Sequence, residues 1–459
     1  MTDHVVVVGG GLAGISAALA AADGGARVTL LESRPWLGGA TFSFQRDGLW
    51  MDNGQHIFLR CCTAYLGLLE RLGSLQSVTV QHRMAIPVLT PGGRTGWLRR
   101  GNLPVPLHLA PGLAHYPYLG WRERLAMATA AWRLRGLDPA DRGLDRISFA
   151  EWLQRAGQSE HAIAALWELI ALPTLNVSVR EASLAAAVKV FKTGLLTTRD
   201  AADLGYAHVP LSRLHGDAAQ PALAAAGVEV RTKHRVDALE PATRVASASS
   251  GTDGLTVTAG GASLDADAVI LAVPHQAAAN LLPAGATTNP QKLHDLGVSP
   301  IVNLHVVYDR PVTGLALAAG LGSPVQWVFD RTTAAGLDHG QYLAVSLSAA
   351  TEQIDQPTQR LRQRYLPALA ELFPAARHAH VERFVVTRER AATFRPTPGA
   401  AGLRLPTHTR LSGLLLAGSW TDTGWPATME GAVRSGLAAA RAALIHVGRT
   451  RHLPLEVAV

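Results

Sequence analysis

Cysteine is almost missing: the chain has two, adjacent at Cys61 and Cys62. A disulfide scaffold is therefore excluded, and neither a CxxC redox pair nor a cysteine-based zinc cage can be written, so no metal is expected. A reducing, cytoplasmic setting fits this usage. Lysine is nearly as scarce, with only Lys189, Lys192, Lys233 and Lys292. Acids are missing from one stretch in particular. From Gln76 to Arg135 eight arginines (Arg83, Arg94, Arg99, Arg100, Arg122, Arg124, Arg133, Arg135) face a single acid, Glu123, and this excess equals the formal charge of +7 of the whole chain. No nucleic-acid motif accompanies it, so no nucleic acid is expected as partner. Only 17% of residues are charged and 48% are hydrophobic, which excludes intrinsic disorder. At 459 residues the chain exceeds what one core usually covers, and two packed domains are expected.

Membrane-spanning runs are also wanting. Val5 to Ala22 carries no charge, but it holds four glycines near its start and only Asp3 and His4 stand just before it. It reads as a buried strand, a turn and a helix rather than a span or signal peptide. Val5-Val6-Val7-Val8 suits a parallel strand covered on both faces. Gly9, Gly11 and Gly14 then spell GxGxxG, with Leu12 and Ala13 inside the loop, and an alanine-rich helix follows. The first glycine permits the tight turn, the second lets backbone N–H groups approach a pyrophosphate, and the third allows close helix packing. The helix start adds positive potential. Arg27 to Leu31 reads as the next strand, ending at Glu32, where a carboxylate can accept both ribose hydroxyls. An acid at that position disfavours a 2′-phosphate and hence NADP.

The segment Glu32-Ser33-Arg34-Pro35-Trp36-Leu37-Gly38-Gly39 adds a glycine pair that would carry a second loop past the pyrophosphate. Asp52-Asn53-Gly54-Gln55-His56 follows, then a helix with apolar Tyr65, Leu69 and Leu72. This arrangement resembles the glutathione-reductase-type FAD domain of the amine oxidase and carotenoid desaturase superfamily. The DNGQH segment and the IFLRCCTAYLGLLERLG that follows are similar to the hydroxysqualene dehydroxylases. The resemblance implies an α/β fold: a Rossmann domain holding non-covalent FAD, with a discontinuous α+β substrate domain. The FAD domain would comprise 1–75, 206–290 and 405–459; the substrate and membrane-facing domain, 76–205 and 291–404.

At the other end, Leu414 to Gly418 reads as a short buried strand, and a helix is expected from Ala427 to about Ile445. The resemblance implies that this segment returns to the N-terminal domain. The start of its helix, with Thr428, Met429 and Ala432, would aim backbone N–H groups at the flavin pyrimidine edge. Asp422 would cap that helix or position the cofactor. Gly227 to Arg231 and His234 to Val236 suggest paired strands, and the resemblance implies a backbone contact from Val236 to adenine. Strands are expected at Val302–Tyr308, Pro324–Asp330 and Tyr342–Ser348, and helices at Gln359–Phe373 and Leu125–Leu134. Two positions depart from the family pattern. Ala40 stands where many relatives carry Arg, and Ser419 where they carry an acid, leaving Arg34 as the substitute cation near the diphosphate.

Three enzyme readings follow from the resemblance. A flavin amine oxidase needs an aromatic cage and a lysine, but Thr428 stands at the cage tyrosine's position. A phytoene-type carotenoid desaturase fits an apolar substrate. A dehydroxylase converting hydroxysqualene to squalene, within bacterial squalene and hopanoid biosynthesis, accounts for the DNGQH segment. A non-catalytic flavin-binding scaffold is opposed by the intact GWPATMEGA segment, Gly424 to Ala432. Loss of an allylic hydroxyl calls for a general acid, and His56 is the first candidate, with Asp203 second. The flavin's electron donor would be external, since no second nucleotide site is visible.

A C30 substrate has to be drawn from a membrane. Trp97, Tyr116, Tyr118, Trp121 and Trp132 lie among the arginines of the basic stretch, the pattern of an in-plane anchor on anionic lipid. The expectation is a cytoplasmic protein held peripherally on the inner face of the cell membrane.

Overall fold

The computed structural model describes residues 3–242, 254–450 and 453. Residues 1–2, 243–253, 451–452 and 454–459 of the expected FAD-binding segments lie outside the described residues.

A five-stranded parallel sheet organises the chain ends. Its order is Glu229–Thr232, Arg27–Glu32, His4–Val8, Ala268–Leu271 and Leu414–Leu416, so both ends of the sequence enter one sheet. His4–Val8 is buried throughout, as a valine run between two covered faces requires. One face is covered by the helix Leu12–Asp23, which the C-terminal helix Met429–His446 crosses at close range. Gly436 makes that approach possible: a Cβ there would stand 2.1 Å from Ala13 O.

A second, seven-stranded sheet runs Val381–Thr393, Ser299–Tyr308, Gln341–Leu347, Trp327–Asp330, Leu317–Gly320, Ala85–Thr90 and Arg94–Arg99. Helix Thr358–Leu372 covers one side of it through Leu361, Tyr365, Leu369 and Leu372. Beside it, helices Trp121–Arg135, Phe149–Arg155, Glu168–Leu175 and Leu184–Phe191 build a core around Phe149, Trp167 and Phe191. A small sheet of Ile57–Leu59, Leu204–Ala207 and Val78–Val80 joins the two parts, so Val78–Val80 hydrogen-bonds into a sheet shared with the N-terminal segment.

One strand expectation is corrected. The strands near 229 and 236 do not pair with each other. Glu229–Thr232 extends the parallel sheet beside Arg27–Glu32, whereas Val236–Pro241 opens a separate antiparallel meander with Leu255–Ala259 and Ala262–Ala266. Lys233, at φ +58°, turns the chain between them, and its N–H is held by Arg34 O at 3.0 Å. Pro324, which has no N–H for a ladder, lies outside the strand Trp327–Asp330. The C-terminal helix starts at Met429, two residues past the expectation, because Thr428 caps it. Among the described residues no helix is long and apolar enough to cross a membrane.

Candidate functional site

Two glycine loops meet above the parallel sheet. Gly9 has φ +107°, and a Cβ on it would lie 2.4 Å from Ala272 O. A Cβ on Gly14 would lie 1.8 Å from Gly9 O, so the helix Leu12–Asp23 can start there only on glycine. The expected second loop lies directly on the first: Gly11 and Gly38 bridge in parallel, Gly38 N donates to Gly10 O at 2.8 Å, and a Cβ on Gly39 would come 2.8 Å from Gly11 Cα. A Cβ on Gly11 would meet nothing nearer than 3.7 Å, so its open face is available to a close ligand. The first turn of the helix has no side-chain cap and no acid, leaving its N–H groups for an anion.

Glu32 ends its strand inside this corner. Its Oε2 accepts from Gly10 N at 2.6 Å, and its Oε1 from Arg34 N at 2.7 Å and Ser33 Oγ at 3.1 Å. Arg34 donates to Gly39 O at 3.2 Å, which sets its cation beside the glycine pair, next to Ala40. His234 N donates to Glu32 O at 2.8 Å, so Val236 enters the meander from the same corner. The cradle fits a dinucleotide: glycine where backbone must approach, a free helix start, and a carboxylate at the strand end.

The chain returns at Leu414–Leu416. Gly418, at φ +141°, donates its N–H to Ser435 Oγ at 2.9 Å, and Trp420 Nε1 donates to Val273 O at 2.8 Å. Arg404 clamps the loop from below through the carbonyls of Ser419, Trp420 and Thr421, and burial pulls its pKa down to about 10. This cation was not legible in the sequence, and it borders Ser419. Thr428 Oγ1 accepts from Gly431 N at 3.2 Å and is the helix cap. The expectation that Asp422 caps this helix is corrected: it is exposed and six residues before the cap position, which Thr428 fills.

Glu430 was missed. It is 1% exposed and accepts from Ala64 N at 3.2 Å, Tyr65 N at 2.7 Å and Arg434 Nε at 2.6 Å. It therefore caps helix Thr63–Arg71, whose own first residue supplies no side-chain cap, and ties that helix to the C-terminal one.

The DNGQH loop bounds a cleft of about 350 Å³, mouth included. Its polar end holds Gln55, His56 and the buried pair Asp52–Arg331 at 2.8 Å, and its apolar wall Ile57, Leu211, Ala316 and Phe329. Asp52 also accepts from Ser43 Oγ at 2.6 Å and Leu211 N at 3.0 Å, while Arg331 donates to Val209 O at 3.1 Å and to Ala207 O. This pair ties the loop to the end of strand Trp327–Asp330 and to strand Leu204–Ala207. His56 Nδ1 lies 3.3 Å from Gly54 O, and burial pulls its imidazole below the usual value, with the Asp52 charge opposing. Gln55 Nε2 is buried with no hydrogen-bond partner among the described residues. Behind the loop His215, fully buried, meets Tyr65 Oη at 2.8 Å; burial, with His56 nearby, brings its pKa down to about 3. Only its place in Leu211-Ser212-Arg213-Leu214-His215 could have drawn attention to it.

Asp203 has a different task from the one expected. Its carboxylate is 0% exposed and accepts from Arg100 at 2.6 and 2.8 Å, Met84 N at 2.8 Å and Arg60 at 3.1 Å. Burial alone would raise its pKa; the bonds from Arg100, Met84 and Arg60 overcome this and hold it below the usual carboxylate value. An ionised acceptor committed on both oxygens has no proton to give, so the second acid candidate is withdrawn.

Comparison with known proteins agrees with this geometry. The family model for flavin containing amine oxidoreductase matches residues 12–444. A hydroxysqualene dehydroxylase of Rhodopseudomonas palustris is 30% identical over 96% of this chain and 98% of its own length. A zeta-carotene desaturase of Synechocystis is 26% identical over 97% of this chain and 98% of its own. An oxidoreductase from Methanosarcina mazei shares the fold, with a TM-score of 0.72 at 18% identity over 95% of this chain and 99% of that one. The chain belongs to the flavin containing amine oxidoreductase family and is an FAD-dependent oxidoreductase similar to the hydroxysqualene dehydroxylases.

Proposed function

We propose that this enzyme removes the hydroxyl of hydroxysqualene reductively, giving squalene. The observation that carries the reading is the end-to-end match to a hydroxysqualene dehydroxylase, 30% identical over 448 residues. In this reading FAD would be held by Gly9, Gly11, Leu12, Ala13, Gly14, Glu32, Ser33, Arg34, Gly38, Gly39, Ala40, Gly54, Gln55, His56, Val236, Gly418, Ser419, Asp422, Thr428, Met429 and Ala432. Residues 76–205 and 291–404 form the substrate and membrane-facing domain.

Reduced flavin bound in this cradle would supply the hydride chemistry at the carbon that loses oxygen. The chain supplies the proton and the dryness. Gln55 Nε2, unpartnered among the described residues, donates to the allylic hydroxyl. His56 delivers a proton to that oxygen as the C–O bond breaks, so that water rather than hydroxide leaves. Because burial favours its neutral form, His56 takes up this proton from solvent before each turnover. The Asp52–Arg331 pair holds the loop in place, and Ile57, Leu211 and Phe329 exclude water from the reacting end. A desaturase acting on a carotenoid is the second reading, favoured by the full-length match to zeta-carotene desaturase. Anaerobic incubation of the reduced enzyme with hydroxysqualene tests the first; squalene is the expected product. Unchanged hydroxysqualene, with phytoene or zeta-carotene desaturated under oxidising conditions, establishes the second instead.

The basic stretch supports peripheral attachment to anionic lipid on the inner face of the cell membrane. Helix Trp121–Arg135 is apolar on two sides: Met127, Ala130 and Leu134 face the core, while Trp121, Leu125 and Trp132 are 69%, 63% and 64% exposed. Arg122 and Arg135 lie over the two tryptophan rings at 5.3 and 5.8 Å. An outward stripe of tryptophans topped by arginines matches the depth of lipid headgroups. Flotation with anionic vesicles at low salt is the expected result, and its absence removes this part of the reading.

A further inference from the structure

A second and larger cavity, about 870 Å³ with its mouth, opens between the Arg94–Arg99 strand and the short helix Ala110–Ala114. No step of the proposed reaction uses it. Arg83, Arg99, Arg100 and His115 line it with Trp97, and no acid among the described residues does. Arg100 is anchored to buried Asp203 and forms the fixed floor. Arg83 and Arg99 are exposed and, among the described residues, form no ion pair; Arg99 lies over the Trp97 ring at 4.1 Å. The lone acid of this region is committed elsewhere. Glu123 accepts from Ser159 Oγ at 2.6 Å and Gly120 N at 2.9 Å, bonds that hold it down to about 2.

The chain that continues from lining residue Gly101 exposes apolar side chains. Gly101 N donates to His108 O at 2.6 Å and closes a loop that carries Leu103 and Leu107, which are 47% and 59% exposed. Pro117, also in the lining, precedes the helix that begins with Trp121. Arg83 and Arg99, without ion pairs among the described residues, on a cavity whose neighbouring chain exposes Leu103, Leu107 and Trp121, match a ligand with an anionic head and apolar chains.

We propose that this cavity binds the phosphate of an anionic phospholipid, gripped by Arg83 and Arg99 over the Arg100 floor, with its acyl chains against Leu103, Leu107 and Trp121. Guanidinium forks bond phosphate oxygens in pairs, which a point charge cannot do. The proposal rests on the reading that this face meets a membrane, and it replaces diffuse attraction to the lipid surface with one stoichiometric headgroup site.

The test is calorimetric titration of the FAD-loaded full-length enzyme with monomeric dihexanoyl phosphatidic acid and, separately, inorganic phosphate, with vesicle flotation alongside. The expected result is saturable one-to-one binding of the short-chain lipid, tighter than phosphate. Arg83→Gln/Arg99→Gln, with unchanged far-UV circular dichroism, should weaken it about 30-fold, from two basic contacts of about 1 kcal/mol each. Phosphate binding as tightly as the lipid, or a double variant that binds like the parent, overturns the proposal. Flotation without saturable short-chain binding also overturns it while leaving the membrane reading intact. Saturable binding without flotation removes the membrane reading, and with it the assignment to lipid.

Discussion

Asp203→Ala separates structure from catalysis at a residue whose sequence context had suggested chemistry. The carboxylate is wholly buried, and Arg100, 8% exposed, forms no other ion pair among the described residues. Removing one partner of a buried pair leaves an uncompensated charge, which costs about 3–5 kcal/mol. The Arg60 arm is 38% exposed, so Arg60→Ala should cost less than about 1 kcal/mol. Arg100→Ala should match Asp203→Ala, and replacing both by apolar residues, as in Asp203→Leu/Arg100→Met, should recover most of the loss because no charge stays buried. The pH dependence has a definite sign. The folded carboxylate sits below its unfolded pKa of about 3.9, so its contribution is full above that value and lost as pH falls through the folded one. Urea unfolding of the FAD-loaded enzyme, followed by circular dichroism across pH, measures each quantity. An Asp203→Ala protein of parental stability but collapsed turnover would refute the ion-pair account and restore Asp203 as a catalytic acid.

Three further outcomes follow from the same geometry. The pKa of His56 is lowered, so the protonated form needed for hydroxyl departure gains as pH falls; kcat/KM should still be rising below about pH 6.5, and His56→Gln should flatten the profile. Gly14→Ala would place a methyl 1.8 Å from Gly9 O, so the flavin-to-protein absorbance ratio should fall sharply while far-UV circular dichroism stays native. Glu430→Ala strips the acceptor from Ala64 N, Tyr65 N and Arg434, at a cost of about 2–3 kcal/mol in urea unfolding; Glu430→Gln, which still accepts, should recover part of it.

The dinucleotide corner was legible because it is written locally. GxGxxG, the glycine pair and the acid at a strand end each reflect a backbone approach that excludes a Cβ, or a carboxylate placed by a single strand. The helix near Tyr65 and the C-terminal helix were equally readable from apolar spacing and small residues. Pairing was not. Glu229–Thr232 and Val236–Pro241 both read as strands, yet nothing in either says that one joins the parallel sheet and the other a meander, since edge partners come from elsewhere in the chain.

Charge was the least legible property. Asp203, Asp52 and Glu430 are single letters whose meaning lies in Arg100, Arg331 and the start of helix Thr63–Arg71, which folding alone brings within hydrogen-bond distance. Local sterics repeat wherever the same few residues recur, so the sequence by itself determined the nucleotide cradle and the class of cofactor. Only the tertiary structure decided which carboxylates are anchors and which arginines stay free, because electrostatic roles depend on burial and on neighbours hundreds of positions away.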